Sequence, residues 1–330
     1  MAKFIIVGDI QFRGINPVAR KDNFLEALET KIDEVHKIAE QNKVDAILTP
    51  GDLFDSPMVS WGVFCRLISM LQKSPCPWVT IPGNHDLYGG NMDTYCRTPM
   101  AALEQAGVVH VLRSPEQAID LSSSTFDSAI ITGRSFDWEM DTHPGTYAAP
   151  TGSDIHMVHG MLVTAPLPTK HTLIKDVQTE TRVTICGHNH LGFGIIKRDD
   201  GKWFINPGAL CRESAHEAEM QRQVQVAILE IARNASTEED EIKAELVPIT
   251  SARPAGEVLS REHIEAQSLR QEKMDYFLEL LSREGEGRFL EVREIVDSIA
   301  EHESLPESVK KEAMKRIAAA REELAGRRGI

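Results

Sequence analysis

Clusters of metal-ligating side chains recur between Asp9 and His190, and each follows a short apolar run. Along the chain they are Asp9-Ile10-Gln11, Gly51-Asp52-Leu53-Phe54-Asp55, Gly83-Asn84-His85-Asp86, His159-Gly160 and Gly187-His188-Asn189-His190. Side chains so far apart in sequence form one site only if the runs before them are strands whose ends meet. That confines the chain to folds in which several loops converge at one edge of a sheet. Carboxylate, amide oxygen and imidazole together suit manganese, iron or zinc better than calcium.

The segments between the clusters fit this constraint. Residues 3–7, 45–49 and 78–81 read as buried strands ending at Gly8-Asp9, Pro50-Gly51-Asp52 and Pro82-Gly83-Asn84. Between them, Leu25, Leu28, Ile32, Val35, Ile38 and Ala39 recur at helical spacing over 23–41, with Asp22 as the expected N-cap. A second helix is expected over 59–73, with Trp61, Phe64, Leu67, Ile68 and Leu71 on its core face. Beyond Gly107 the signals are mainly strands, at 108–112, 128–133, 154–158, 182–186, 223–231 and 241–247. A hairpin is expected across Arg198-Asp199-Asp200-Gly201, joining 195–197 to 202–205. The predicted class is α/β, a two-sheet β-sandwich flanked by helices with a C-terminal helical extension.

The breakers in Ser251-Ala-Arg-Pro-Ala-Gly place the boundary near residue 250, giving a domain over 1–250 and a helical region over 251–330. Amphipathic helices are expected at 259–283, 287–303 and 306–326. Ile264, Leu269, Phe277, Leu278, Leu281, Phe289, Val292, Ile295, Val296 and Ile299 exceed what exposed helices carry, so they must pack on one another or on a partner.

The ordered clusters resemble the signature of the calcineurin-like metallophosphoesterases, D-x-H, G-D-x-x-D, G-N-H-D, H-G and G-H-x-H, over roughly the first 210 residues. The resemblance implies two divalent cations, with manganese favoured and magnesium, iron or zinc as alternatives. It makes Asp52 the bridging carboxylate. Asp9 and His190, with Gln11 beside them, would complete one metal site, and Asn84, His159 and His188 the other. It leaves His85 as the catalytic hydrogen-bond or proton donor and Asp86 as an orienting group. Gln11 stands where the family usually has histidine, so the first cation is expected to be held less tightly.

Gly51-Asp-Leu-Phe-Asp, Asn206-Pro-Gly-Ala-Leu and the helical extension narrow the resemblance to SbcD-type DNA-repair nucleases. That subfamily implies a DNA substrate, a homodimer, and docking of the C-terminal helices on an SbcC-like SMC ATPase. Arg13, Asn16 and Arg20 are the basic and polar groups expected to reach a DNA backbone. The same metals would equally serve a phosphodiesterase or phosphatase acting on small nucleotides or phosphoproteins. Gln11 leaves room for a metal-impaired subunit that binds without cleaving.

The formal net charge of −14 disfavours a general electrostatic grip on nucleic acid, although bound dications reverse the local sign. Cys65, Cys76, Cys96, Cys186 and Cys211 are scattered without CxxC spacing, as expected for reduced thiols in a cytoplasmic protein. No apolar stretch approaches the ~20 residues that span a bilayer, and no signal peptide is expected. His36, His110, His143, His156, His171, His216, His263 and His302 are expected to be surface or locally bonded residues. His156 lies three residues before His159, on the opposite face of their strand. For Asp55, a loop-tying role and a ligand role stand equally.

Overall fold

The computed structural model describes residues 1–122, 128–233 and 240–262, and within the C-terminal region 264–265, 270, 273–274, 296–297, 299–301, 303 and 305–327. Two compact units divide the chain, Met1–His263 and Ile264–Ile330.

In the first unit, two six-stranded mixed sheets pack face to face, as the alternation of apolar residues dictates. The first sheet is built on β1 (Ala2–Ile6), β2 (Ala46–Thr49), β3 (Trp78–Thr80) and β4 (His110–Val111), which run parallel in that order. β13 (Gln225–Arg233) adds antiparallel to β1, and β14 (Asp240–Pro248) closes that side. The second sheet carries β6 (Ser128–Arg134), β7 (Ile155–Gly160), β10 (Val183–His188) and β12 (Trp203–Asn206), parallel to one another. β5 (Ala118–Ser122) and β11 (Gly194–Lys197) are its antiparallel edges. The β11–β12 pair is the hairpin expected around Gly201. A two-stranded ribbon, β8 (Leu162–Val163) with β9 (Thr172–Leu173), was not legible in the sequence.

Side-chain alternation sorts each strand between layers. From β1 and β2, Phe4, Ile6, Ala46 and Leu48 enter the inter-sheet core and meet Ile155, Met157, Val183 and Ile185 of the second sheet. Ile5 and Ile47 face the other way, onto α1 (Phe24–Asn42), α2 (Trp61–Leu71) and α3 (Pro99–Gln105). Leu28, Ile32 and Val35 of α1, Phe64, Leu67 and Leu71 of α2, and Met100 and Leu103 of α3 fill this outer layer.

Two local expectations are corrected. Asn23, not Asp22, caps α1, its side chain accepting from the Glu26 N–H at 3.3 Å. Asp22 is instead engaged by Arg20 through both carboxylate oxygens at 2.8 Å. Trp61 belongs to no core: it starts α2 and is 79% exposed, while Phe64, Leu67 and Leu71 behind it are buried.

Two short α-helices, α4 (Glu217–Gln221) and α5 (Ala255–Val258), also belong to the first unit. In the second unit, α6 (Glu307–Arg327) occupies the last expected helical segment. The stretches expected as helices at 259–283 and 287–303 lie largely outside the described residues, as do Leu269, Phe277, Leu278, Leu281, Phe289, Val292 and Ile295. Among the described residues, no helix is long and apolar enough to cross a membrane.

Phe4 has 0% exposure at the centre of the inter-sheet layer. Phe4→Ala should therefore cost about 3–5 kcal/mol of stability, seen as a lower urea midpoint. A change under 1 kcal/mol would show that the layer repacks freely.

Candidate metal centre

The parallel strands of both sheets end at the same edge of the sandwich, and the clusters lie on the loops there. Asp9 and Gln11 follow β1, Asp52 follows β2, and Asn84, His85 and Asp86 follow β3. His159 is near the end of β7, and His188 ends β10, with His190 just beyond. The β7–β10 register sets Gly187 opposite His159, which brings the imidazole rings of His159 and His188 to a centroid separation of 5.1 Å.

These loops turn sharply at the functional residues themselves. Gln11, Asp52 and His188 have φ of 48°, 52° and 75°, a region that non-glycine residues rarely enter. Such strain persists only where surrounding bonds enforce it. The Asp52 carbonyl accepts the N–H groups of Ile10 at 3.1 Å and Gln11 at 2.9 Å. The His188 N–H donates to the Asp9 carboxylate at 3.0 Å. Gly83 and Gly187 are required for space. A Cβ at Gly83 would collide with Asp52, and one at Gly187 with the Pro50 carbonyl, His159 and Asp9.

Two groups of potential ligand atoms share Asp52: Asp52, His159 and His188, and Asp9, Asp52 and His190, each within 4.8 Å. Asn84 Oδ1 joins the first group, 3.0 Å from both His159 Nε2 and His188 Nδ1. The Gln11 amide nitrogen lies 3.1 Å from His190 Nε2, which is itself 3.3 Å from Asp9 Oδ2. All seven side chains expected as ligands are therefore gathered at one place.

His159 Nδ1 sits 2.8 Å from the Pro50 carbonyl, which can only accept, so that nitrogen carries a proton and Nε2 points to the centre. This is how a second contact fixes the tautomer of a metal-binding histidine. Asp52 Oδ1 takes the His85 N–H at 2.9 Å. Asp52 Oδ2 is 3.3 Å from His159 Nε2, an ion-pair distance, but the pair lacks hydrogen-bond alignment and this buried oxygen has no hydrogen-bond partner. A carboxylate oxygen with no such partner, facing imidazole nitrogens and an amide oxygen, fits a divalent cation in chemistry and in place.

Without a cation, the charges compensate one another. Burial would raise the Asp52 pKa, but the neighbouring His159 overrides it and holds the carboxyl well below the usual range. Burial opposes charge on His159 too, yet Asp52 and then Asp9 push its pKa up to about 9. His188 goes the other way, to about 4, through burial and the proximity of His159. His190 is raised, burial being outweighed by its contact with Asp9.

Asp86 lies beneath the loops. Its carboxylate accepts from Gly83 N at 2.9 Å, Phe54 N at 2.9 Å and Leu53 N at 3.3 Å, binding the Asp52 and Asn84 loops together. Burial and then Asp52 raise its pKa to about 7, against the Phe54 and Gly83 amides. Asp55 ties its loop from outside: its side chain pairs with Arg13 at 2.8 Å, and its carbonyl accepts His85 Nδ1–H at 2.8 Å. That leaves His85 Nε2 free of the loop.

Several neighbours carry no sequence signal. Phe136 packs its ring against His159 at 6.2 Å and His188 at 6.0 Å, and Trp138, 67% exposed, packs on Phe136. Glu213, 3.5 Å from Arg13, is raised in pKa by burial and by Asp55. Of the groups expected to reach DNA, Asn16 and Arg20 are turned to other work. Asn16 accepts the Phe24 N–H, and Arg20 is 9% exposed and bonded to Asp22 and the Arg212 carbonyl. His156 is a locally bonded core residue, its Nδ1 2.8 Å from Thr132 Oγ1. All five cysteines are free thiols.

Residues 2–214 match the family model described as calcineurin-like phosphoesterase. No relative was found among curated proteins. Among solved structures, the chain resembles the calcineurin-like phosphoesterase YfkN of Bacillus subtilis at 13% identity and TM-score 0.44, covering 83% of this chain and 98% of that one. A dimetal phosphatase of Danio rerio is similar at 10% identity and TM-score 0.44, over 76% of this chain and 99% of the other. A Staphylococcus aureus protein provisionally identified as a 5′-nucleotidase is similar at 14% identity and TM-score 0.44, over 75% of this chain. The match spans about half, 54%, of that longer protein.

His159 yields a pH prediction. Its pKa is raised from 6.5 to about 9, so its protonated form stabilises the metal-free chain fully below pH 6.5 and loses that contribution as pH rises through about 9. A cation needs the neutral imidazole and competes with that proton. Metal affinity should climb over the same window with release of about one proton, measured by calorimetry in buffers of different ionisation enthalpy. A flat profile would remove His159 from the ligand set.

Proposed function

The chain belongs to the calcineurin-like phosphoesterase family, and from that premise we propose that it is a two-metal phosphodiesterase acting on DNA, the nuclease subunit of an SbcC–SbcD-like complex. The observation that carries the phosphoesterase reading is Asp52 shared between two groups of ligand atoms drawn from both sheets. In this reading Asp9, Gln11, Asp52 and His190 hold one cation, and Asp52, Asn84, His159 and His188 the other. When bound, such a pair supplies Lewis-acid polarisation of the phosphoryl group and a water activated at neutral pH.

The protein's own part is binding, orientation and one proton. His85 Nδ1–H is held by the Asp55 carbonyl at 2.8 Å, so Nε2 is the nitrogen available to substrate. As an imidazolium, His85 gives its Nε2 proton to the leaving ester oxygen and keeps Nδ1–H on Asp55. Arg13, paired with Asp55, fixes that loop and is partly exposed beside the centre. Asp86 holds the Asp52 and Asn84 loops in register from below.

The DNA reading is supported by Gly51-Asp-Leu-Phe-Asp, by Asn206-Pro-Gly-Ala-Leu and by the helical C-terminal region, all of which resemble SbcD nucleases. Trp138 adds to it: an exposed indole packed on Phe136 beside the histidines is a surface on which a base can stack. Homodimerisation, docking of the C-terminal helices on an SMC-like ATPase, manganese as the native ion and a cytoplasmic location belong to the same proposal. A second reading, hydrolysis of a small nucleotide or phosphoprotein ester, is favoured by the net charge of −14, which repels a polyanion. Gln11 supports a third, a binding subunit without catalysis.

Incubation with manganese and either linear DNA or a chromogenic phosphodiester separates these readings. DNA degradation is expected; turnover of the small ester alone would establish the second reading, and silence on both the third. His85→Ala should keep its metal content while slowing turnover by about 100-fold or more. Loss of metal in that variant would show that His85 is a ligand.

A further inference from the structure

Behind the Asp9 loop, on the helix side of the first sheet, a cavity of about 230 Å³ opens between the first turns of α1, the 251–258 segment and Arg212. Arg20, Lys31, Arg212 and Arg253 line it, with Asp22 and Glu26 as the acids of the lining. The cations are unequally compensated. Arg20 is taken by Asp22 at 2.8 Å, and Arg253, at the exposed rim, by Glu257 at 3.2 Å.

Lys31 and Arg212 have no carboxylate of their own. Lys31 is 3% exposed, and its ammonium makes one hydrogen bond, to the Leu210 carbonyl at 2.7 Å, so two of its three N–H groups are uncommitted. Arg212 is 6% exposed, and its buried Nε has no hydrogen-bond partner. The nearest carboxylate oxygen, Glu219 Oε1, is 3.9 Å from Nε and is already engaged by Arg222 at 2.6 Å. The Arg212 Nη groups donate to the Arg253 carbonyl at 3.1 Å and to the Arg222 carbonyl, which leaves Nε as its open donor. Burying two basic groups with open donors and no carboxylate to themselves is costly, and an anion offsets that cost. The first turn of α1 adds its partial positive charge on the same side.

We propose that this cavity is a binding site for a phosphate dianion, held between Lys31 and Arg212, either as free phosphate or as the phosphate of a nucleoside monophosphate. The donors match a doubly charged group: a buried lysine with two open N–H groups and a buried guanidinium that shares its one nearby carboxylate with Arg222, with Glu26 exposed on the rim. Burial, with Arg20 and Arg212 adding to it, lowers the Lys31 pKa to about 7, so the anion would also restore its charge at neutral pH. Phosphate suits the volume, and a dianion offers enough acceptors for the lysine donors and Arg212 Nε together. The site is separate from the metal centre and does not depend on what that centre hydrolyses. The Leu210 peptide joins the two: its N–H donates to the Asp9 carbonyl and its carbonyl accepts from Lys31.

The test is calorimetric titration of full-length protein, pretreated with chelator so that the metal centre cannot take up phosphate, with inorganic phosphate and with deoxyadenosine monophosphate at constant ionic strength. Saturable binding is expected, weakened roughly tenfold or more by Lys31→Met and by Arg212→Gln. Arg253→Gln, at the exposed rim, keeps the fold intact and should weaken binding by about threefold, while Arg113→Gln elsewhere on the surface should leave it unchanged. Tighter binding of the nucleotide assigns the phosphate to an ester; equal binding assigns the free ion. No saturation up to about 10 mM of either probe, or binding unchanged in the Lys31, Arg212 and Arg253 variants, overturns the site.

Discussion

The Asp52 carboxylate, wholly buried between two sheets, is the point at which the loops of the metal centre are joined. Its backbone carbonyl holds the Ile10 and Gln11 amides, its Oδ1 holds the His85 amide, and its Oδ2 faces His159. Asp86 clamps the same two loops from below through three amides. A left-handed conformation at Asp52, with its neighbour Gly51 also at positive φ, sends the chain sharply back on itself as β2 ends. The strain at Asp52 is held by bonds among the loops of the first sheet, and the second sheet brings His159, His188 and His190 to it. The site is therefore a product of the whole sandwich.

The electrostatics follow from this arrangement. Asp9 and Asp52 approach the same group of histidines, and a proton on His159 balances them when no cation does. His188, beside it, is driven neutral, since two imidazolium ions at a ring separation of 5.1 Å would repel. One histidine thus carries a charge that a metal can replace, and its neighbour is already in the form a metal needs. The family match gives this chemistry its class, and DNA as the substrate is the proposal that goes beyond it.

Much of the fold was readable because period and punctuation agreed. β1, β2 and β3 are apolar runs stopped by glycine and proline beside a ligand, and α1 repeats its apolar residues at helical spacing. The two-sheet arrangement followed from strands that outnumbered helices after Gly107. Other features depend on contacts that no local pattern encodes. Asp22 and Asn23 are both good caps, and only the salt bridge that draws Asp22 to Arg20 decides between them. Trp61 has the right period for the core but begins α2, where the helix has not yet reached the layer beneath. Arg20 looked like a backbone contact because its charge was visible and its burial was not. Phe136 reaches His159 and His188 from β6's far side in sequence, with no motif to announce it.

The central claim is that Asp52 is shared by two cations. Crystals of the full chain grown with manganese, measured at a wavelength where manganese scatters anomalously, test it most directly. Two anomalous peaks are expected, one among Asp9, Gln11, Asp52 and His190 and the other among Asp52, Asn84, His159 and His188. A metal-replete crystal with no peak touching Asp52 would contradict it.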